Sequence, residues 1–442
     1  KTAYEIMPSL VGSEMCIRDS HRGCPHQWGK GSCDKDVKVS IRRLPFVTLD
    51  HRQWERLADL ATLVAVVSMI VGIALEVYLY RGVDFRGYYA AARVILAGGD
   101  PYDYRQVAPV LLEITGKMGN NPYYYPPWFA LALTPLALLP YQLARVVWLL
   151  LNLAMMIAAL VMTPSVLDWQ VRGWRRWLAW LSAVYLFIWL SLRFEQTGTM
   201  ILFFLVLTLW AARSGRDLLA GISLALLLTK PNVTWLIFAL LMLVFYQRQR
   251  RVAVWALIAL AALLIVSTAV LPGWYAHLRE PGFGAGLTLV LDGPDRVKSI
   301  RLHTTLSHWL TYTFRMPSVA VWIVWGILAA GCLLWIAYAL RARVELGHLA
   351  AIGVTVGLLL GPYVMQYDYP PLTVTLFWVY RESRRLTGWP RWAVLAVLGG
   401  AFSVPVWERP IYDGFWILVA MTVLLAGLGL RAIGRHRVEA IA

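Results

Sequence analysis

Residues 57–79 read LADLATLVAVVSMIVGIALEVYL, and this stretch decides the fold class. Only Asp59 near its start and Glu76 near its end carry charge. About 20 apolar residues cross the hydrocarbon core of a bilayer, so the segment is expected to span a membrane. Arg42, Arg43, Arg52 and Arg56 stand just ahead of it, which predicts a cytoplasmic N-terminus by the positive-inside rule.

Similar apolar segments follow at 143–163, 177–192, 197–212, 215–229, 232–246, 251–271, 319–340, 346–361, 369–380, 391–407 and 414–433. The short breaks between them alternate in character. Five of them hold Arg172/Arg175/Arg176, Arg213/Arg216, Arg248/Arg250/Arg251, Arg341/Arg343 and Arg381/Arg384/Arg385/Arg391. The interleaved short breaks hold only Arg193, Lys230 and Arg409. The arginine-rich set is therefore expected on the cytoplasmic side. Residues 126–139 are apolar but short, and carry Pro126, Pro127 and Pro135. If they crossed, the loop at Arg172–Arg176 would face outward, so they are read as a re-entrant or shallow segment. The expected fold is an all-α polytopic membrane protein with about 12, possibly 13, transmembrane helices. Its two long extracytoplasmic loops are 80–125 and 272–318.

Composition agrees. The chain is 59% hydrophobic and 15% charged, where soluble domains hold roughly 45–50% and 25%. The net charge of +16 collects in the breaks between spans and does not form a nucleic-acid groove. Cys16, Cys24, Cys33 and Cys332 are too few and scattered for a disulfide framework. Residues 1–40 contain no signal-peptide-like apolar run, and 9–20 resemble a translated sequencing adapter. They are expected to be non-native or disordered, with a membrane domain over 41–433 and a cytoplasmic tail over 434–442.

The candidate chemistry lies on the expected outer face. Asp84, in the run Val83-Asp84-Phe85-Arg86-Gly87-Tyr88-Tyr89, follows the first span by a few residues. It suits either an N-cap for a helix over 86–97 or a general base. That helix would lie along the membrane surface, with Tyr89, Ala92/Arg93 and Leu96 on one side. Tyr123-Tyr124-Tyr125 with Pro126-Pro127-Trp128 is either an interfacial aromatic belt or the lining of a cleft for a sugar or lipid headgroup. Glu195/Gln196, Lys230 and Asp368 stand at outward helix ends, where ionisable groups often mark function. Lys230 could snorkel to lipid phosphate or bind a substrate phosphate. Arg301, His303 and His308 lie in the second long loop. Walker A, G-x-G-x-x-G, H-E-x-x-H and G-x-S-x-G motifs are absent from the sequence.

Five pieces in order then resemble the family 87 glycosyltransferases of the GT-C superfamily. They are Asp84-Phe85-x-x-Tyr88-Tyr89-x-Ala91-Ala92 with Gly99-Asp100-Pro101-Tyr102; Tyr125-Pro126-Pro127; Gln196; Lys230-Pro231; and Gly361-Pro362-Tyr363 with Tyr367-Asp368. The likeness spans roughly 57–430. Two elements depart from the family pattern: Glu195-Gln196 stands where a Gly-Gln pair is usual, and Leu302-His303-Thr304 where an Asn-Gln-Ser-like element is usual.

The resemblance implies a bacterial plasma-membrane hexosyltransferase with a GT-C helix bundle and its active site facing outside. Its donor would be a polyprenyl-phosphate-linked sugar, mannose being the usual one, and its acceptor a glycolipid or polysaccharide. Asp84 would be the catalytic base of an inverting transfer, with an ordinary carboxyl pKa of about 4 raised somewhat by burial. Lys230, Arg86, Arg301 and His303 would neutralise the leaving phosphate, and Tyr88, Tyr125, Gln196 and Asp368 would line the same site. No cofactor is required, and a divalent metal is left open. The competing reading is a lipid or solute transporter or flippase, which would call for internal repeats of the span pattern; no convincing duplication is found.

Overall fold

The computed structural model describes residues 84–116, 123–169, 190–277, 304–361, 363–403 and 415–441, with positions 60, 64, 67 and 71. The expected span at 177–192 falls almost wholly outside the described residues, as do the segment 1–40, Arg301 and His303. Of the first span, the four described positions are helical and exposed.

The described residues fold as an all-α chain. In chain order the helices are α1 (Phe85–Leu96), α2 (Tyr104–Thr115), α3 (Pro127–Ala132), α4 (Thr134–Ala137), α5 (Tyr141–Val166), α6 (Gly198–Arg213), α7 (Asp217–Leu226), α8 (Pro231–Arg248), α9 (Arg250–Val270), α10 (Leu306–Tyr312), α11 (Ser318–Arg341), α12 (Leu346–Leu360), α13 (Leu372–Ser383), α14 (Trp389–Ser403) and α15 (Phe415–Ile441). Short 3₁₀ turns lie at Leu227–Thr229 and Gln366–Asp368. Among the described residues, four helices are long and apolar enough to cross a membrane: α5, α9, α11 and the first part of α15. The helices α6, α7 with its 3₁₀ turn, and α12 are apolar but shorter.

Two kinds of apolar helix can be told apart by burial. In α12 every residue after Leu346 is buried, as expected of a helix apolar all round and packed in the middle of a bundle. The helices α9 and α11 are as apolar but present much of their surface outward: Ile265 is 68% exposed and Leu334 72%. A contiguous apolar surface of that kind would be an aggregation site in water; against acyl chains it costs nothing.

Side-chain contacts place the helix ends in two groups. Arg213 bonds Val166 O and Asp168, Arg381 bonds Leu167 O, and Arg248 bonds Val344 O. Arg381 also pairs with Glu345 and Glu382. The arginine-rich breaks described thus meet at one end of the bundle. Residues 84, 196, 230 and 368 meet at the other. Each of α5, α6, α8, α12 and α13 therefore runs from one end to the other, which is the alternation expected from charge.

The segment 126–139, expected to be re-entrant or shallow, is two helices of 6 and 4 residues, far short of a crossing. One expectation changes. The helix expected along the membrane surface over 86–97 is buried on most sides, because α2, α3 and α4 pack around it; Leu96 stays exposed while Tyr89 and Ala92 are covered. The helix α15 continues unbroken through Ile441, past the apolar stretch that ends at Ile433.

Candidate functional site

Asp84 occupies the N-cap position of α1, yet its carboxylate caps nothing. It has helical backbone angles, and its side chain turns away to accept a 2.6 Å hydrogen bond from Gln196 Nε2. The backbone nitrogen of Asp84 donates to Phe194 O at 3.3 Å, so the start of α1 is tied to the turn that carries Gln196. The capping reading is corrected by this geometry.

Gln196 is the hub. Its Oε1 accepts from Lys230 Nζ at 2.9 Å, Tyr88 OH at 3.0 Å and Tyr125 OH at 3.1 Å. The two phenols lie 2.8 Å apart. Lys230 Nζ reaches Asp368 Oδ1 at 2.6 Å and sits over the rings of Tyr125 and Tyr367. It is only 6% exposed, so it is not snorkelling to lipid. The other oxygen of Asp368 accepts from Met365 N at 3.0 Å, which locks the carboxylate in its 3₁₀ turn.

Local sequence explains why these groups converge. Pro231 opens α8 at a position where the missing N–H is no loss, and Lys230 stands just before it. Asn232 Nδ2 donates to Tyr363 O at 2.7 Å and Thr304 N to Val364 O at 3.0 Å, drawing segment 363–368 onto the start of α8. Gly198 lets that segment close: a Cβ there would meet Tyr367 O at 2.6 Å and Ser191 Oγ at 2.7 Å. The tyrosines are part of the scaffold. Tyr123 OH donates to Pro126 O and accepts from Ala130 N. Trp128 Nε1 reaches Thr229 Oγ1 at 3.3 Å, and Tyr102 OH donates to Tyr125 O at 2.7 Å.

Burial pushes the Asp84 carboxyl up to about 6, against the opposing pull of the Gln196 hydrogen bond, Lys230 and Arg86, while Asp368 adds to the rise. Burial likewise lifts the Tyr88 phenol well above its usual range. For Lys230 burial works against the charge, but Asp368 outweighs it and the ammonium is held above its ordinary value. Arg86 acts on Asp84 through its charge, and its Nε is buried with no hydrogen-bond partner among the described residues.

Six of the nine residues expected from sequence are thus joined in one network: Asp84, Tyr88, Tyr125, Gln196, Lys230 and Asp368. Arg86 borders it; Arg301 and His303 lie outside the described residues. Sequence reasoning missed Arg145 and Trp148 of α5, which grip the Gln196 turn. Arg145 had a signal: it is an arginine inside an apolar run, where a charge is rare without a task.

The fold and the site together define a helical membrane-associated protein with a charged, tyrosine-lined cluster at one end of its bundle. The model of glycosyltransferase family 87 matches residues 123–362, and the chain belongs to that family, within the GT-C superfamily. The matched stretch includes Tyr125, Gln196 and Lys230; Asp84, Arg86, Tyr88 and Asp368 lie outside it. No curated protein and no solved structure matches the chain.

Proposed function

We propose that this protein transfers a sugar, mannose by the family resemblance, from a polyprenyl-phosphate donor to a glycolipid or polysaccharide acceptor on the outer face of a bacterial plasma membrane. The active domain is 41–433, with the arginine-rich helix ends cytoplasmic. The observation that supports this best is the single network joining Asp84, Gln196, Lys230 and Asp368 at the opposite end from those arginines.

The reaction assigns each group a task. The acceptor hydroxyl oxygen attacks the anomeric carbon and its proton passes to Asp84. The bond from that carbon to the phosphate oxygen breaks on the opposite face, so configuration inverts. Phosphate leaves with the bonding electrons and needs no proton, but its growing charge needs cations. An ammonium has three N–H donors; Gln196, Asp368 and Tyr125 surround that of Lys230, and an entering phosphate oxygen takes the place of the Tyr125 contact. The unpartnered Nε of Arg86 supplies a second contact. An aspartate with a pKa near 6 is ionised at neutral pH and a better base than an exposed one.

The test is incubation of purified wild-type protein and Asp84→Asn with a panel of polyprenyl-phosphate sugars and glycolipid acceptors, read by mass spectrometry. A new glycosidic product from wild type, reduced about 10²–10⁴-fold in the variant, is expected. Product formation by Asp84→Asn at near-normal rates would remove the base. Movement of intact lipid between leaflets with no product would replace the enzyme by a transporter.

A further inference from the structure

Glu195 precedes the hub residue and has a left-handed backbone, φ +55°. A non-glycine residue there costs of order 1 kcal/mol or more, so something must hold it. Its side chain is 3% exposed and pairs with Arg145 of α5, itself 5% exposed. Its carbonyl accepts from Trp148 Nε1 at 2.9 Å. One helical turn further along α5, Asn152 Oδ1 accepts from Thr199 Oγ1. Arg145, Trp148 and Asn152 recur at spacings of three and four, one face of a helix, and that face clasps turn 195–199.

The same face touches the first turn of α1, just after Asp84. Trp148 stacks on Phe85, ring centroids 5.7 Å apart and 15° from parallel, and meets Tyr88 edge-on at 6.2 Å. The residue beside Asp84 and the residue beside Gln196 are thus seated on one helix.

We propose that Arg145 and Glu195 are a buried positioning pair: their ion contact holds residue 195 in its left-handed conformation and thereby aims the Gln196 amide at Asp84. The inference rests on Asp84 being the base. The pair touches no reacting atom. It sets the geometry and proton affinity of Asp84 through Gln196, one of the groups that bear on that carboxylate together with Lys230 before α8, Arg86 and Tyr88 on α1, and Asp368, Tyr363 and Tyr367 on segment 363–368.

The experiment compares kcat, donor KM and the pH dependence of kcat in wild type, Gln196→Ala, Glu195→Ala, Arg145→Lys and the double variant Glu195→Gln/Arg145→Met. The double variant removes both buried charges together, which protein interiors tolerate, and leaves at position 195 a non-glycine residue that still has to be held at positive φ. Glu195→Ala and the double variant should each lose about 10–100-fold in kcat with donor KM changed less than about threefold. Their acid limb should move upward by roughly half to one pH unit, as in Gln196→Ala, and Arg145→Lys should recover part of the loss. Wild-type kcat and an unmoved limb in the folded double variant would overturn the proposal. So would loss of folding in both variants, which would make the pair structural. If Asp84→Asn keeps turnover, the general-base reading has failed; if it is inactive and only the Glu195 variants behave as wild type, this inference alone has failed.

Discussion

Gln196 Nε2 lies 2.6 Å from Asp84 Oδ2, an amide donating to a carboxylate from 112 positions away in the chain. The bond favours the charged form of Asp84 while burial opposes it, and the balance leaves the carboxyl near 6. The aspartate is therefore poised and not simply ionised.

Turnover should fall with unit slope as pH drops through about 6, because protonated Asp84 cannot take the acceptor proton. A kcat–pH profile in detergent or nanodiscs measures this. A profile flat to well below the ordinary carboxyl value would remove Asp84 from the rate-limiting step.

Stability should respond with the opposite sign. The folded-state pKa is raised from 3.8 to about 6, so the contribution of Asp84 is favourable below the lower value and is lost as pH rises through the upper. Asp84→Asn keeps an oxygen for the Gln196 bond and carries no charge. Its thermal midpoint should exceed that of wild type at neutral pH, with the gap closing towards pH 4. An equal gap at both pH values would contradict the linkage.

Lys230 and Asp368 are 2.6 Å apart and buried. Removing one partner strands the other charge, so Lys230→Met should cost about 3–5 kcal/mol. Lys230→Met/Asp368→Asn should recover most of that stability without recovering donor affinity. Donor binding by the double variant at wild-type strength would show that the ammonium serves the fold alone.

Gly198→Ala places a methyl 2.6 Å from Tyr367 O. Backbone must move, at about 1–3 kcal/mol, and it moves the segment that carries Asp368. Weaker donor binding together with a lower thermal midpoint is expected; unchanged values of both would mean that the segment is not tightly seated.

Arg381 offers a contrast at the far end of the bundle. Buried against Glu345, Glu382 and Leu167 O, it should cost about 3–5 kcal/mol when replaced by Ala. Donor KM of the folded fraction should be unchanged. A large KM effect would show that the two ends of the bundle communicate.

What the sequence determined by itself was the membrane class, the helix pattern and the charge alternation. Hydropathy and arginine placement act within a window of some 20 residues and need no tertiary knowledge. The helices α6, α8 and α11 begin and end within two residues of the expected spans, and α5 within three. Six residues of the network were also conspicuous in the sequence, because a polar group at the end of an apolar helix stands out locally. The sequence could not choose between a helix cap and a bond to the cluster for Asp84, or between lipid and cluster for Lys230. Each choice depends on which distant group lies within 3 Å, and Gln196 and Asp368 are supplied by packing alone. The contact between Arg145 and the left-handed Glu195 was likewise visible only in three dimensions, where one face of α5 meets a turn 50 residues further along.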